Sequence, residues 1–343
     1  MTDALTARHP APSLDRLVAD LVPPPRFAQA RLGTYQPDPA YPSQAEAKDR
    51  IQLFADELVR RSAPRTGLRG LFGGRRPATA HGIYLDGGFG VGKTHLLTSL
   101  FHIAPGRPVY GTFVEYTNLA GALGFTKAVE LLSGASVVCI DEFELDDPGD
   151  TLMMTRMIRE LSDRGVAIVA TSNTLPDALG EGRFAAQDFL REIQAMAERF
   201  DVLRIDGEDY RRREVDMTVL ELDDEQVRQH ANRTPGASLD SFDELLAHLA
   251  TVHPSRYGAL VDDIACAHLT GVHAVSDHHA ALRLVVLVDR LYDREIPVLA
   301  SGTETDTLFT DDLLRSGYRK KYFRALSRLT SLTRDGAAVL ARE

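Results

Sequence analysis

The segment Gly87-Gly88-Phe89-Gly90-Val91-Gly92-Lys93-Thr94 constrains this chain more than any other, because it fits G-x-x-x-x-G-K-[ST] between an apolar run and an amphipathic one. Its glycines let the backbone curl until successive N–H groups converge on one anion. Lys93 then reaches the β and γ phosphates of a nucleotide, and the Thr94 hydroxyl offers an oxygen to Mg²⁺. Gly82-Ile83-Tyr84-Leu85 ahead of the loop reads as a strand. Residues 94–101 behind it, starting Thr94-His95-Leu96-Leu97, read as a helix with its dipole aimed at the phosphates.

A second apolar strand, Val137-Val138-Cys139-Ile140, ends in Asp141-Glu142. An acid at the tip of the neighbouring strand suits the Mg²⁺ shell, which assigns Asp141 to the metal, and an adjacent Glu142 can polarise the attacking water. The next strand, residues 166–170, runs into Thr171-Ser172-Asn173, where Asn173 is the candidate to orient that water or sense the γ-phosphate. This ordered series is the pattern of AAA+ ATPases. In them an arginine from a neighbouring subunit completes the site, and both Arg183 and Arg191, ahead of the last core strand, are candidates. The Asp-Glu pair and Asn173 suit water better than an acceptor substrate, and no [NT]KxD motif supports GTP. The expected ligands are ATP and Mg²⁺.

Residues 82–205 alternate short apolar strands with helical runs, which predicts an α/β fold: a parallel sheet covered on both faces. After about residue 240 the strand signals fade and helices dominate, over 241–250, 280–292 and 318–332, so a mainly helical lid domain is expected. Residues 1–43 hold many of the prolines and read as an extended or partly disordered arm. A helix over 44–59 behind a Ser43 cap follows. The expected domains are the arm 1–43, the nucleotide-binding core 44–225 and the helical part 226–343. The Arg- and Gly-rich stretch 60–81 within the core reads as a solvated loop, with contact to an anionic membrane surface or a partner protein as the sharper alternative.

Composition narrows the class. A net charge of −10 disfavours a surface built for nucleic acid, and the basic, aromatic run at 318–324, which could suggest single-stranded nucleic acid, reads instead as a packed lid helix with a solvated cationic face. No apolar run approaches a membrane span, no secretory signal opens the chain, and Cys139 and Cys266 are solitary, which together fit a cytoplasmic enzyme. His268, His273, His278 and His279 lack ligand spacing and read as solvent-facing.

Several quoted runs are more particular: Tyr35-Gln36-Pro37-Asp38-Pro39-Ala40-Tyr41-Pro42-Ser43-Gln44, Ile140-Asp141-Glu142-Phe143, Asp209-Tyr210-Arg211, Leu282-Arg283 through Leu287-Val288-Asp289 to Leu291-Tyr292-Asp293, and Ser327-Arg328-Leu329. With the phosphate loop and in this order they resemble the ZapE family, bacterial AAA+ ATPases associated with cell division and similar to mitochondrial quality-control ATPases. The resemblance implies ATP hydrolysis in a ring or nucleotide-dependent oligomer, work on a protein partner of the division machinery or of membrane-associated quality control, and a nucleotide contact from Arg283. At the arginine positions the family carries Gly-Leu-Gln-Arg and Phe-Leu-Pro where this chain has Gly182-Arg183-Phe184 and Phe189-Leu190-Arg191. The alternatives are a replication-type loader acting on a DNA-bound helicase and a nucleotide-gated scaffold.

Overall fold

Successive residues of each strand point to opposite faces, so strands buried on both sides must be apolar throughout. Ile83 and Leu85, Val137 and Cys139, and Ala167 and Val169 line one face, while Tyr84, Val138, Ile140, Ile168 and Ala170 line the other. The computed structural model describes residues 3–10, 14–62, 82–144, 148–175, 190–208, 222–303 and 307–341. In it the strands β1 (Gly82–Gly87), β2 (Pro108–Thr112), β3 (Val137–Asp141), β4 (Ala167–Ser172) and β5 (Phe200–Ile205) form one parallel sheet, ordered β2-β3-β4-β1-β5. Helices α2 (Pro42–Ser62) and α3 (Lys93–Ile103) supply the apolar side chains of the first face. The second face is covered from α4 (Phe113–Leu123), α5 (Phe125–Ser133), α6 (Pro148–Asp163) and α7 (Leu190–Ala197). This is the α/β core expected.

The start of the first long helix differs from the sequence reading. Helix α2 begins at Pro42, whose fixed φ and missing N–H suit a first helical position. Ser43 therefore lies inside it, and its hydroxyl accepts from the Asp206 N–H at 2.9 Å instead of capping. In α4 the cap is Thr112, closing a capping box with Glu115.

The chain divides into two compact units: Ser13–Pro23 with Phe27–Tyr210, and Met1–Pro12 with Pro24–Arg26 and Arg211–Glu343. The expected boundary at 225/226 and this division at 210/211 differ by a stretch that falls mostly outside the described residues. Among the described residues, the second unit is mainly helical but is organised on strands that the sequence reading missed. β6 (Ala237–Ser241), β7 (Cys266–Val272) and β8 (Val298–Gly302) make a parallel sheet in that order. Around it lie α8 (Asp224–Arg233), α9 (Phe242–Thr251), α10 (Tyr257–Leu260), α11 (His278–Asp293), α12 (Asp311–Arg315) and α13 (Arg319–Leu340).

The proline-rich arm is neither featureless nor uniformly extended. Asp3 bridges Ser238 in parallel, and Leu5 is fully buried in the core of the second unit. The Asp240 carboxylate accepts the N–H groups of Leu5 and Thr6, both at 3.0 Å, and the Thr6 hydroxyl at 2.9 Å. Further on, α1 (Leu14–Ala19) and the Leu21 carbonyl, which accepts from the Tyr110 N–H, belong to the first unit.

His268 corrects another expectation. It lies on a strand, not a helix, and its face points inward, leaving it completely buried. Its Nδ1 donates to the Ser238 carbonyl at 3.0 Å, which leaves Nε2 to accept from His230 Nδ1 at 2.8 Å. His273 and His279 are exposed as expected, and His278, half-buried, pairs with the Tyr322 hydroxyl. The cationic face of α13 is likewise only partly solvated, because Arg324 is buried and, with Arg328, holds the Asp289 carboxylate of α11.

Candidate nucleotide site

β1, β3 and β4 end at one edge of the parallel sheet, and the loop after β1, the last residue of β3 and the segment after β4 carry the residues of the site. The chain leaves β1 through Gly88 and enters α3 at Lys93. Gly90 and Gly92 take φ of +68° and +89°, a backbone that only glycine adopts readily. A Cβ at Gly92 would also lie 2.4 Å from the Tyr35 ring. The first intrahelical bond of α3 runs from the Leu96 N–H to the Gly92 carbonyl, so the amides of Lys93, Thr94 and His95 stand ahead of the ladder at the positive end of the helix. This is an anion-binding terminus built on a curled loop.

Lys93 is buried, and its Nζ donates to the Gly87 carbonyl at 2.8 Å, to the Gly88 carbonyl and to Oδ1 of Asn173 at 2.8 Å. Thr94 donates to Oδ1 of Asp141 at 3.2 Å. Asp141, also buried, accepts in addition from the Tyr110 hydroxyl at 2.7 Å and from the Thr171 hydroxyl. Burial pushes its carboxyl above the usual range and the adjacent Glu142 charge adds to this, while the three hydroxyls oppose the rise. Glu142 follows with φ +54°, its N–H bonded to Thr171 Oγ1 at 3.1 Å. The Thr94 hydroxyl beside the Asp141 carboxylate is a pair of hard oxygen donors, which fits Mg²⁺ held mainly by waters and phosphate oxygens.

Five of the expected residues thus converge: Lys93, Thr94, Asp141, Glu142 and Asn173. Phe89 and Val91 form the loop itself, with Val91 buried and its carbonyl taking the Tyr35 hydroxyl at 3.0 Å. The His95 ring is turned to the arm, with Nε2 at 3.1 Å from Thr34 Oγ1 and 3.0 Å from the Arg31 carbonyl, so its side chain anchors the arm. Arg191 is exposed on α7, and Arg183 lies outside the described residues. Arg283 belongs to α11 of the second unit, where its buried Nε has no acceptor among the described residues. The stretch 63–81 and the run at 209–211 also lie outside the described residues.

The family model of the AFG1-like ATPases matches residues 21–226 and 218–343. The chain belongs to this family. As an AFG1-like ATPase it is 28% identical to the cell division protein ZapE of Escherichia coli K12, over 88% of this chain and 92% of that protein. It is 30% identical to lactation elevated protein 1 homolog B of Danio rerio over a shorter stretch, 26% of this chain and 18% of the other. A replication initiator DnaA bound to AMPPCP and single-stranded DNA is similar with a TM-score of 0.41 at 12% identity, covering 92% of this chain and 95% of that one.

Three residues of this AFG1-like site escaped the sequence reading. Glu144, buried, stands 3.5 Å from Nδ2 of Asn173. Tyr110 reaches Asp141 from β2, and Thr171 reaches it from β4. Thr171 stood beside the chosen Asn173 in the sequence, but nothing in a single tyrosine on an apolar strand marks it as a partner of an acid on the next.

Proposed function

We propose that the chain hydrolyses ATP with Mg²⁺ and couples turnover to conformational work on a protein partner. The observation that carries this reading is the convergence of Lys93, Thr94, Asp141 and Asn173, through direct hydrogen bonds at 2.8 and 3.2 Å, beside Glu142. In this reading Lys93 and the loop amides hold the phosphates, and Thr94 and Asp141 hold the metal, which supplies charge neutralisation to the transferring phosphoryl group. Glu142 takes a proton from the attacking water, and Asn173 orients that water against the γ-phosphate. Arg283, whose Nε has no acceptor among the described residues, is available to an anion.

The exposed Arg191, together with Arg183, is the candidate cation that one copy supplies to the next on self-association. Likeness to ZapE over most of both chains supports a partner in bacterial cell division and a place in the cytoplasm. Contact with the inner face of a membrane is the looser part of the reading; among the described residues no helix is long and apolar enough to cross one. The decisive experiment is steady-state ATP hydrolysis by Glu142→Gln and Lys93→Ala. Loss of turnover with retained nucleotide binding in the first, and loss of binding in the second, is expected; full turnover by Glu142→Gln overturns the assignment of the base.

A further inference from the structure

Thr171, next to last on β4 and 2% exposed, touches both acids of the site with one hydroxyl. Its Oγ1 donates to Oδ1 of Asp141 and accepts the N–H of Glu142 at 3.1 Å. Its carbonyl accepts the following N–H, that of Phe143, at 2.7 Å. Glu142 has φ +54°, in the left-handed region where a residue with a Cβ persists only if its surroundings hold it. The two bonds to Thr171 secure the backbone on both sides of that residue.

Two other buried threonines of this unit, Thr98 and Thr117, satisfy their hydroxyls on helix carbonyls, Thr98 on Thr94 and His95 and Thr117 on Val114. Thr171 uses both its donor and its acceptor on the two acids instead. The other carboxylate oxygen, Oδ2 of Asp141, takes the Tyr110 hydroxyl at 2.7 Å from the opposite neighbouring strand. Asp141 is therefore held from both sides by neutral hydroxyls, which fix its direction without cancelling its charge. Mg²⁺ demands near-octahedral geometry, so the orientation of a carboxylate in its shell matters as much as its presence.

We propose that Thr171 is a positioning residue whose hydroxyl ties the direction of the Asp141 carboxylate to the backbone of Glu142, with Tyr110 fixing the second carboxylate oxygen. Metal-facing and water-facing acids are then set by one atom on the strand that also carries the chain into Asn173. The inference rests on the roles given above to Asp141 and Glu142.

The test uses the full chain with Thr171→Val, which keeps the shape and deletes the hydroxyl, and Thr171→Ser, which keeps the hydroxyl. Binding of a fluorescent ATP analogue is measured with excess Mg²⁺ and with EDTA, beside steady-state turnover. Thr171→Val is expected to bind normally in EDTA, to lose most of the gain in affinity that Mg²⁺ brings, and to turn over about 100-fold more slowly. Thr171→Ser is expected to recover most of both. Parent-like behaviour of Thr171→Val, equal failure of Thr171→Ser, or loss of binding in EDTA as well overturns the proposal. Should Thr171→Val not fold, Tyr110→Phe decides: it must raise the Mg²⁺ concentration needed for tight binding, and an unchanged requirement overturns the proposal. Asp141→Asn and Glu142→Gln run in parallel. If these keep full turnover, the reading of the site fails; if they lose it while Thr171→Val keeps it, only this inference fails.

Discussion

Nζ of Lys93 lies 2.8 Å from Oδ1 of Asn173, a side chain 80 positions further along the chain. The amide orientation follows from this bond, since only the oxygen can accept from an ammonium, and it turns Nδ2 towards Glu144. A γ-phosphate accepts only, so Asn173 would serve it through Nδ2. Asn173→Ala is expected to lower kcat by about 100-fold, the scale of losing one donor to developing charge, with little change in ATP affinity. Steady-state kinetics beside equilibrium binding checks this; an affinity loss that matches the loss in kcat assigns Asn173 to binding alone.

Gly92 has two independent reasons to be glycine, its φ of +89° and the Tyr35 ring 2.4 Å from where a Cβ would sit. Gly92→Ala should lose binding of ATP, with backbone strain alone contributing about 1–3 kcal/mol. Adding Tyr35→Ala removes the collision but not the strain, so titration with a fluorescent ATP analogue should show incomplete recovery. Full recovery would assign the whole effect to the ring.

Asp86, next to last on β1 and immediately before the loop, has a carboxylate that is 1% exposed and bonded to Arg204 at 2.6 Å. Arg204 is itself mostly exposed, which weakens the pair, yet its removal strands a buried acid. Arg204→Ala should cost about 1–2 kcal/mol in urea unfolding, less than a fully buried pair would. A change within error would mean that water reaches Asp86.

His273 donates from Nε2 to Asp243 at 2.7 Å and from Nδ1 to the Ala274 carbonyl at 3.1 Å, so both ring nitrogens face acceptors and the charged ring is favoured. Its pKa is raised above 6.5, first by the Asp243 bond and then by Ala274. The stability this adds is present in full below the unfolded value and fades as pH rises through the folded one. Asp243→Asn should bring the midpoint of the His273 NMR titration back towards 6.5, and the shift should shrink in high salt because the pair is exposed. An unmoved midpoint refutes the pairing in solution.

Asp240 holds the first described turn of the chain through three bonds. Asp240→Ala should speed hydrogen exchange at Leu5 and Thr6 and cost about 1–3 kcal/mol in the second unit, while ATP binding is retained. Unchanged exchange there would show that burial of Leu5 alone secures the segment.

The phosphate loop, the acids after β3 and the alternation of strands and helices were legible because each is a local pattern. Val137-Val138-Cys139-Ile140 declares a buried parallel strand by composition. The second sheet was not legible for the same reason: β6 is Ala-Ser-Leu-Asp-Ser, and β7 carries His268 and Thr270 where an apolar run would be expected. His268 is satisfied by the Ser238 carbonyl on β6 and by His230 on α8, partners that no window of sequence contains. The roles of Thr171 and Tyr110 depend on register, with Thr112 opposite Asp141 and Leu85 opposite Thr171, and register is a tertiary fact.

The bond from the Leu5 N–H to Asp240 spans 235 positions of sequence. During synthesis at the usual pace, the opening residues wait about 10–50 s for their receptor strand to be made. Residues 27–210 can meanwhile close on one another, so the second unit, which needs both residues 3–6 and β6, is finished after them. Its maturation is a stitching step, and whatever occupies the N-terminal turn during that wait competes with the protein's own completion.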